Sequence, residues 1–225
     1  MRKFKEILYS DGFAIVGGLI VVPLLSFALL SISPESPLYT SISRMIWVHN
    51  LWVITFVWAV IVMGIIVWLT YRMARIGIED VRKRRIFLAW QFISIILVFV
   101  GCLLFPAKNG TDSILFVNYI HDYLTAIAWF MYVLGLIAYS FSVKKRDKFL
   151  GLLGISLMGY IVFSSLFFLM RVIDPQSYVG ASAISEVYII NNLAIYLVVM
   201  YVAQKIIFDK QSADSASELR ASLRQ

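Results

Sequence analysis

The sequence predicts an all-α polytopic membrane protein: a bundle of six transmembrane helices with both termini cytoplasmic (N-in/C-in). Three observations lead there. Of the 225 residues, 61% are hydrophobic and only 15% charged, too few polar side chains to cover a soluble domain of this size. The apolar residues fall into six long runs, at about 13–32, 45–70, 86–105, 119–141, 149–170 and 187–207. Each run reaches the ~18–20 residues needed to cross a hydrocarbon core of ~30 Å. The basic residues are also segregated. Of 20 lysines and arginines, only Arg44, Lys108 and Arg171 fall in the connections on one side. The positive-inside rule therefore places the other side, with both termini, in the cytoplasm.

Residues 1–208 read as a single transmembrane domain and residues 209–225 as a cytoplasmic tail, either disordered or a short surface helix. The first run follows Arg2, Lys3 and Lys5, which is also how a signal peptide begins. Its 20-residue length and the lack of a small-x-small site favour an uncleaved first helix. Pro23 lies inside this run and predicts a kink. The second run carries His49 near its start, and Arg72 and Arg75 lie just beyond it. The third follows the basic stretch Arg82, Lys83, Arg84 and Arg85. The fourth opens with His121 and Asp122 and leads to Lys144, Lys145, Arg146 and Lys148. The fifth contains small residues at helical spacing, "GISLMGY", which read as packing. The sixth opens with Glu186, then Asn191 and Asn192. Pro34, Pro37, Pro106 and Pro175 mark the turns between runs on the less basic side. These turns are too short for an external receptor domain.

The net charge of +7 is a topology signal, because the basic residues sit where helix flanks need them; no nucleic-acid partner is implied. Cys102 is the only cysteine, which excludes an intrachain disulfide, a CxxC redox motif and a cysteine-rich metal site. No P-loop, rhomboid-like serine motif or mid-helix lysine for a retinal Schiff base is present. The tryptophans Trp47, Trp52, Trp68, Trp90 and Trp129 read as interfacial belt anchors.

The residues that ask for a function are the ionisable groups of runs two, four and six. His49, His121, Asp122 and Glu186 share one depth in the outer leaflet, with Asn50 beside His49, Asn191 and Asn192 one to two turns deeper, and Arg44 and Arg171 at the rim. No comparable layer is expected at the cytoplasmic ends, where the charges read as flanks. Ionisable groups at membrane depth are costly and usually face a bundle interior or wet cavity. The structural reading is that Asp122 and Glu186 are held by helix N-termini and the histidines bond to loop carbonyls. The leading functional reading is an outer-leaflet polar pocket that binds a lipid headgroup or a membrane-protein partner. His49, His121, Asp122, Glu186 and Asn191 would line it, and Arg44 or Arg171 would hold phosphate. A second reading is a metal-dependent hydrolase of lipid or lipid-linked substrates. Its divalent metal would sit on His49, His121 and Glu186, with Asp122 hindered by its adjacency to His121. A haem between His49 and His121 needs only those two residues and is the weakest cofactor reading. A small-solute or proton-coupled transporter comes third, because deep ionisable residues are nearly absent.

The stretch "GCLLFPAKNGTDSILFVNYIHDYLTAIAWF" resembles the middle of the bacterial "domain of unknown function 998" membrane family. There a helix ends in Phe-Pro and the next opens with a histidine, here Phe105, Pro106 and His121. The opening of run six, "AISEVYII", is similar to the Frag/DRAM/Sfk six-helix membrane proteins, although Val187 stands where a tryptophan would follow Glu186. These resemblances imply six helices, a bacterial cell membrane and a lipid context, and no catalytic residue.

Overall fold

The computed structural model describes residues 11–34, 42–47, 49–104, 115–173 and 183–222. They form seven helices and no strand: α1 (Asp11–Ser31), α2 (Ile42–Trp47), α3 (Trp52–Gly77), α4 (Val81–Leu104), α5 (Leu115–Lys144), α6 (Lys148–Ile173) and α7 (Ala183–Ser222). All but α2 are long and apolar enough to cross a membrane. Large apolar side chains such as Leu24, Phe27, Ile86 and Phe163 stay exposed on the bundle surface. An apolar exterior on helices with satisfied backbones is what a lipid solvent selects. The chain has the make-up of an integral, multi-pass membrane protein.

Helices α3, α4, α5, α6 and α7 pack in sequence, and α7 returns onto α3 to close a ring. Helix α1 lies outside the ring, against α3 and α7. The centre is filled by fully buried tyrosines that reach across it. Tyr132 of α5 donates to Thr70 Oγ1 of α3 at 2.9 Å, while Thr70 donates to its own Ile66 carbonyl at 2.8 Å. Tyr196 of α7 donates to Ser140 Oγ of α5 at 3.0 Å. Tyr139 accepts from Gln204 Nε2 of α7 at 2.6 Å and donates to the Met73 carbonyl of α3 at 3.0 Å. A tyrosine delivers apolar area and a hydroxyl together, so the centre is both close-packed and hydrogen-bonded.

Pro23 acts through a wide turn. Residues Gly17–Val21 are π-helical, and the Val22 N–H donates to the Gly17 carbonyl. The five-residue step precedes a proline that lacks an N–H and crowds the carbonyl four residues back. Gly18 permits the close approach of α1, since a Cβ there would lie 2.3 Å from Val198 Cγ2 and 3.1 Å from Leu69 Cδ1.

Two boundaries differ from the sequence expectation. The run 45–70 is not one helix. It is interrupted at Asn50, whose φ is 60°, and the Leu51 N–H closes the turn onto the Met45 carbonyl at 3.0 Å. Asparagine is among the few residues that tolerate this left-handed backbone. Helix α7 has no boundary near 208 and continues to Ser222. No glycine or proline interrupts 187–222, and its polar part is rich in good helix formers.

The basic end is also richer than expected. Asp11 at the start of α1 pairs with Lys205 of α7, accepts from Tyr201 at 2.6 Å and lies 3.5 Å from Arg72 of α3. Arg72 bonds Tyr201 as well, with its guanidinium 5.4 Å from the Trp68 ring and 5.1 Å from the Tyr201 ring. These are interhelical clamps as well as flanking charges. In the next connection, Arg146 pairs with Glu79 at 3.0 Å and lies 3.5 Å from the Phe208 ring centroid.

Candidate functional site

At the end away from the basic residues, α2, α3, α4, α5 and α7 surround a cavity of about 130 Å³. Each long helix presents one face to it. Helix α3 gives Thr55, Trp58, Ala59 and Met63; α5 gives His121, Thr125 and Trp129; α7 gives Glu186, Ile189 and Ile190. Helix α4 adds Val98, Phe99 and Cys102, and α2 roofs the space with Ile42 and Ile46. The steps of three, four and eight residues are those of a single helical face.

Glu186 fixes the roof. Its Oε2 accepts the Ile42 N–H, the first of α2, at 2.7 Å. That donor has no partner within α2, and a carboxylate there gains from the helix dipole. The wall between α4 and α5 is tight. A Cβ on Gly101 would lie 2.5 Å from Thr125 Oγ1, and Cys102 Sγ stands 3.9 Å from the same oxygen. Trp129 Nε1 donates to Ser165 Oγ of α6 at 2.8 Å, and its ring stacks on Tyr132 with centroids 6.1 Å apart. The cavity floor thus rests on the tyrosine centre. Trp129 reads differently here than in the sequence, as an inner wall with a protein hydrogen-bond partner.

His121 is buried, at 5% exposure, and lines the cavity with Glu186. His49 is not on a membrane-spanning helix; it occupies the turn between α2 and α3, half-buried, and is not among the lining residues. Asn191 and Asn192 are half-buried on α7 and also do not line the cavity. Their Oδ1 and Nδ2 atoms, respectively, have no hydrogen-bond partner among the described residues. The side chains of Arg44, Asp122 and Arg171 lie outside the described residues. Among the described residues no three His, Cys, Asp or Glu side chains gather as a group suited to a metal ion. The trio His49, His121 and Glu186 is therefore not assembled as one, although two of its members share the cavity.

Composition alone did not single out Thr55 and Trp58. Both are buried on the cavity wall, and neither Thr55 Oγ1 nor Trp58 Nε1 has a hydrogen-bond partner among the described residues. The available signal was depth: Trp58 lies a turn and a half inside α3, away from the helix end where a belt tryptophan sits. The lining is otherwise mainly apolar and, among the described residues, contains no lysine or arginine. The cavity is thus apolar with a few polar residues in its lining, where the sequence reading expected a polar pocket.

No family model, curated protein or solved structure matches the chain.

Proposed function

We propose that this protein binds a membrane lipid, or a lipid-linked molecule, in the cavity beneath α2. The observation that carries the reading is the cavity itself, with apolar walls of membrane-spanning helices and with His121 and Glu186 among its lining residues. Such a site suits an amphiphile, whose apolar part gains from the walls while its polar part meets the few fixed groups. The lipid context implied by the resemblance to the Frag/DRAM/Sfk proteins agrees with this.

The same proposal sets the cavity in the outer leaflet of the cell membrane, with both termini cytoplasmic, because 17 of the 20 basic residues fall in the sequence segments assigned to the other side. A reporter fused after Gln225 is expected to report cytoplasm, and one inserted beside Asn109 the exterior. The reverse pattern would invert the site's leaflet.

Native mass spectrometry of gently purified protein tests the binding. The wild type is expected to carry a lipid adduct that Ala59→Trp, which fills the cavity from α3, removes. Equal adducts on both proteins would refute the site.

A further inference from the structure

At the basic end, the α3–α4 and α5–α6 connections form one surface. Arg146 of the second pairs with Glu79 of the first at 3.0 Å and donates to the Ile76 carbonyl at 3.2 Å. The carboxylates of both connections already have partners. Glu79 holds Arg146, Asp80 caps α4 and lies 3.9 Å from Lys83, and Asp147 accepts the Leu150 N–H of α6 at 2.8 Å. Arg82 and Lys145 are exposed on the same surface, which keeps a surplus of positive charge.

Contacts along α4 and α5 fix their register. Trp90 Nε1 donates to the Met131 carbonyl at 2.7 Å, Gln91 Nε2 donates to the Tyr132 carbonyl at 3.2 Å, and Phe87 packs on Tyr139 at 5.2 Å. The two helices are therefore antiparallel. Arg82 precedes Phe87 by as many residues as Lys144 follows Tyr139, which puts both ~7.5 Å nearer the basic end than that contact. The membrane-spanning stretches stop at this height, at Val81 on α4 and Lys144 on α5. Lys145 comes next, its N–H turned back to the Ser142 carbonyl at 3.3 Å. Packed helix axes stand ~8–10 Å apart, within reach of two long side chains meeting over one group. Deeper along the face of α4 that carries Arg82 lie Ile86, 61% exposed, and Trp90, 43% exposed. The bond to the Met131 carbonyl holds the Trp90 ring against α5.

A cationic lip above an exposed apolar strip matches a phospholipid with a negatively charged headgroup. We propose that the seam between α4 and α5 at the basic end docks an anionic phospholipid, its phosphate between Arg82 and Lys145 and its chain along Ile86 and Trp90. This site lies at the other end of the bundle from the cavity and does not depend on it. Flanking charge alone would also put cations here, but it would draw an anionic lipid to each exposed basic residue alike. Lys210 is the comparison: it is exposed near the end of the α7 span, and α7 packs between α6 and α3 on the other side of the ring.

Native mass spectrometry of the full-length protein in micelles, titrated with dioleoyl phosphatidylglycerol or dioleoyl phosphatidylcholine, tests the site. The wild type is expected to bind phosphatidylglycerol more tightly. Arg82→Gln and Lys145→Gln are each expected to weaken that binding about fivefold, and the pair about 30-fold, with phosphatidylcholine unmoved. Lys210→Gln and the cavity-filling Ala59→Trp are expected to leave the preference as it is. Unchanged melting temperatures show that the variants fold. Phosphatidylglycerol binding unmoved by the pair, or weakened as much by Lys210→Gln, would overturn the seam site. Loss of the preference in Ala59→Trp would overturn it as well, by placing the anionic lipid in the cavity. Equal lipid adducts on wild type and Ala59→Trp, with the preference still lost in the Arg82 and Lys145 pair, would remove the cavity site and leave the seam standing.

Discussion

Gly77 lies where three helices meet, and Gly77→Ala is expected to be among the costliest one-methyl changes in the protein. A Cβ there would lie 2.0 Å from the Tyr139 hydroxyl, 2.8 Å from Tyr139 Cζ and 3.2 Å from Gln204 Nε2. Tyr139 has little room to retreat. It is fully buried, it accepts from Gln204 and donates to the Met73 carbonyl, and Phe87 packs on its ring at 5.2 Å. Overpacking of this kind costs about 1–3 kcal/mol. Each interhelical hydrogen bond lost in a membrane bundle adds about 0.6 kcal/mol. The sum is roughly 2–4 kcal/mol, or a fall of roughly 4–16 °C in melting temperature for a chain of this size. Tyr139→Phe alone is expected to cost about 1 kcal/mol, because Gln204 loses its acceptor in a buried site. In the Gly77→Ala background the same change removes the 2.0 Å conflict and is expected to be neutral or stabilising. Equilibrium unfolding in mixed micelles, followed by far-UV circular dichroism over the four proteins of this cycle, measures the coupling. Additivity within about 0.5 kcal/mol would refute the claim that Gly77 exists to seat the Tyr139 hydroxyl.

Other changes test the remaining contacts. Arg146→Lys is expected to lower stability by about 0.5–1 kcal/mol, because lysine does not span Glu79, the Ile76 carbonyl and the Phe208 ring together. Glu79→Gln, on the exposed side of that pair, should move the melt by under about 0.5 kcal/mol. Asp11→Asn is expected to cost about 1 kcal/mol, discounted because the side chain is 42% exposed. Lys205→Met should cost less, since Tyr201 and Arg72 still meet the carboxylate; the reverse order in melting temperature would refute the clamp. Asp80 caps α4, its Oδ1 accepting the Arg82 N–H at 2.8 Å and the Lys83 N–H at 3.1 Å. The Lys83 N–H above all, then the Arg82 N–H and the Lys83 charge, hold its carboxyl below the usual carboxylate range. Its stabilisation is therefore present above the unfolded value of about 3.9 and fades as pH falls through the lower folded value. Asp80→Asn, which keeps a capping oxygen, should flatten that part of the acid melting profile, and an unchanged slope would count against the cap.

The spans were legible because a hydrocarbon solvent leaves few alternatives to apolar runs of about 20 residues. What escaped the sequence was set by a single backbone angle or by distant partners. Nothing in "WVHNLW" announces that Asn50 turns left-handed, so His49 was assigned to a helix that begins after it. The tail was left open between disorder and a short helix because its polar composition reads equally as either, and the uninterrupted backbone of α7 decides the matter. His121 and Glu186 stood out as ionisable groups in apolar runs, and both line the cavity. Thr55 and Trp58 look like any other threonine and tryptophan of run two until the helices assemble around them. Asp11, Arg72, Tyr201 and Lys205 were invisible as a set, because the link from Asp11 to Lys205 spans 194 positions. Flanking charge accounted for Arg72 and Lys205 separately.

The central claim is that the space bounded by Trp58, His121 and Glu186 is a lipid site. The most direct measurement is an experimental density map of the wild-type protein in nanodiscs of native lipid. Elongated lipid density is expected to enter beneath α2 and lie between Trp58, His121 and Glu186. A cavity collapsed by side-chain repacking, or one without lipid density, would contradict it.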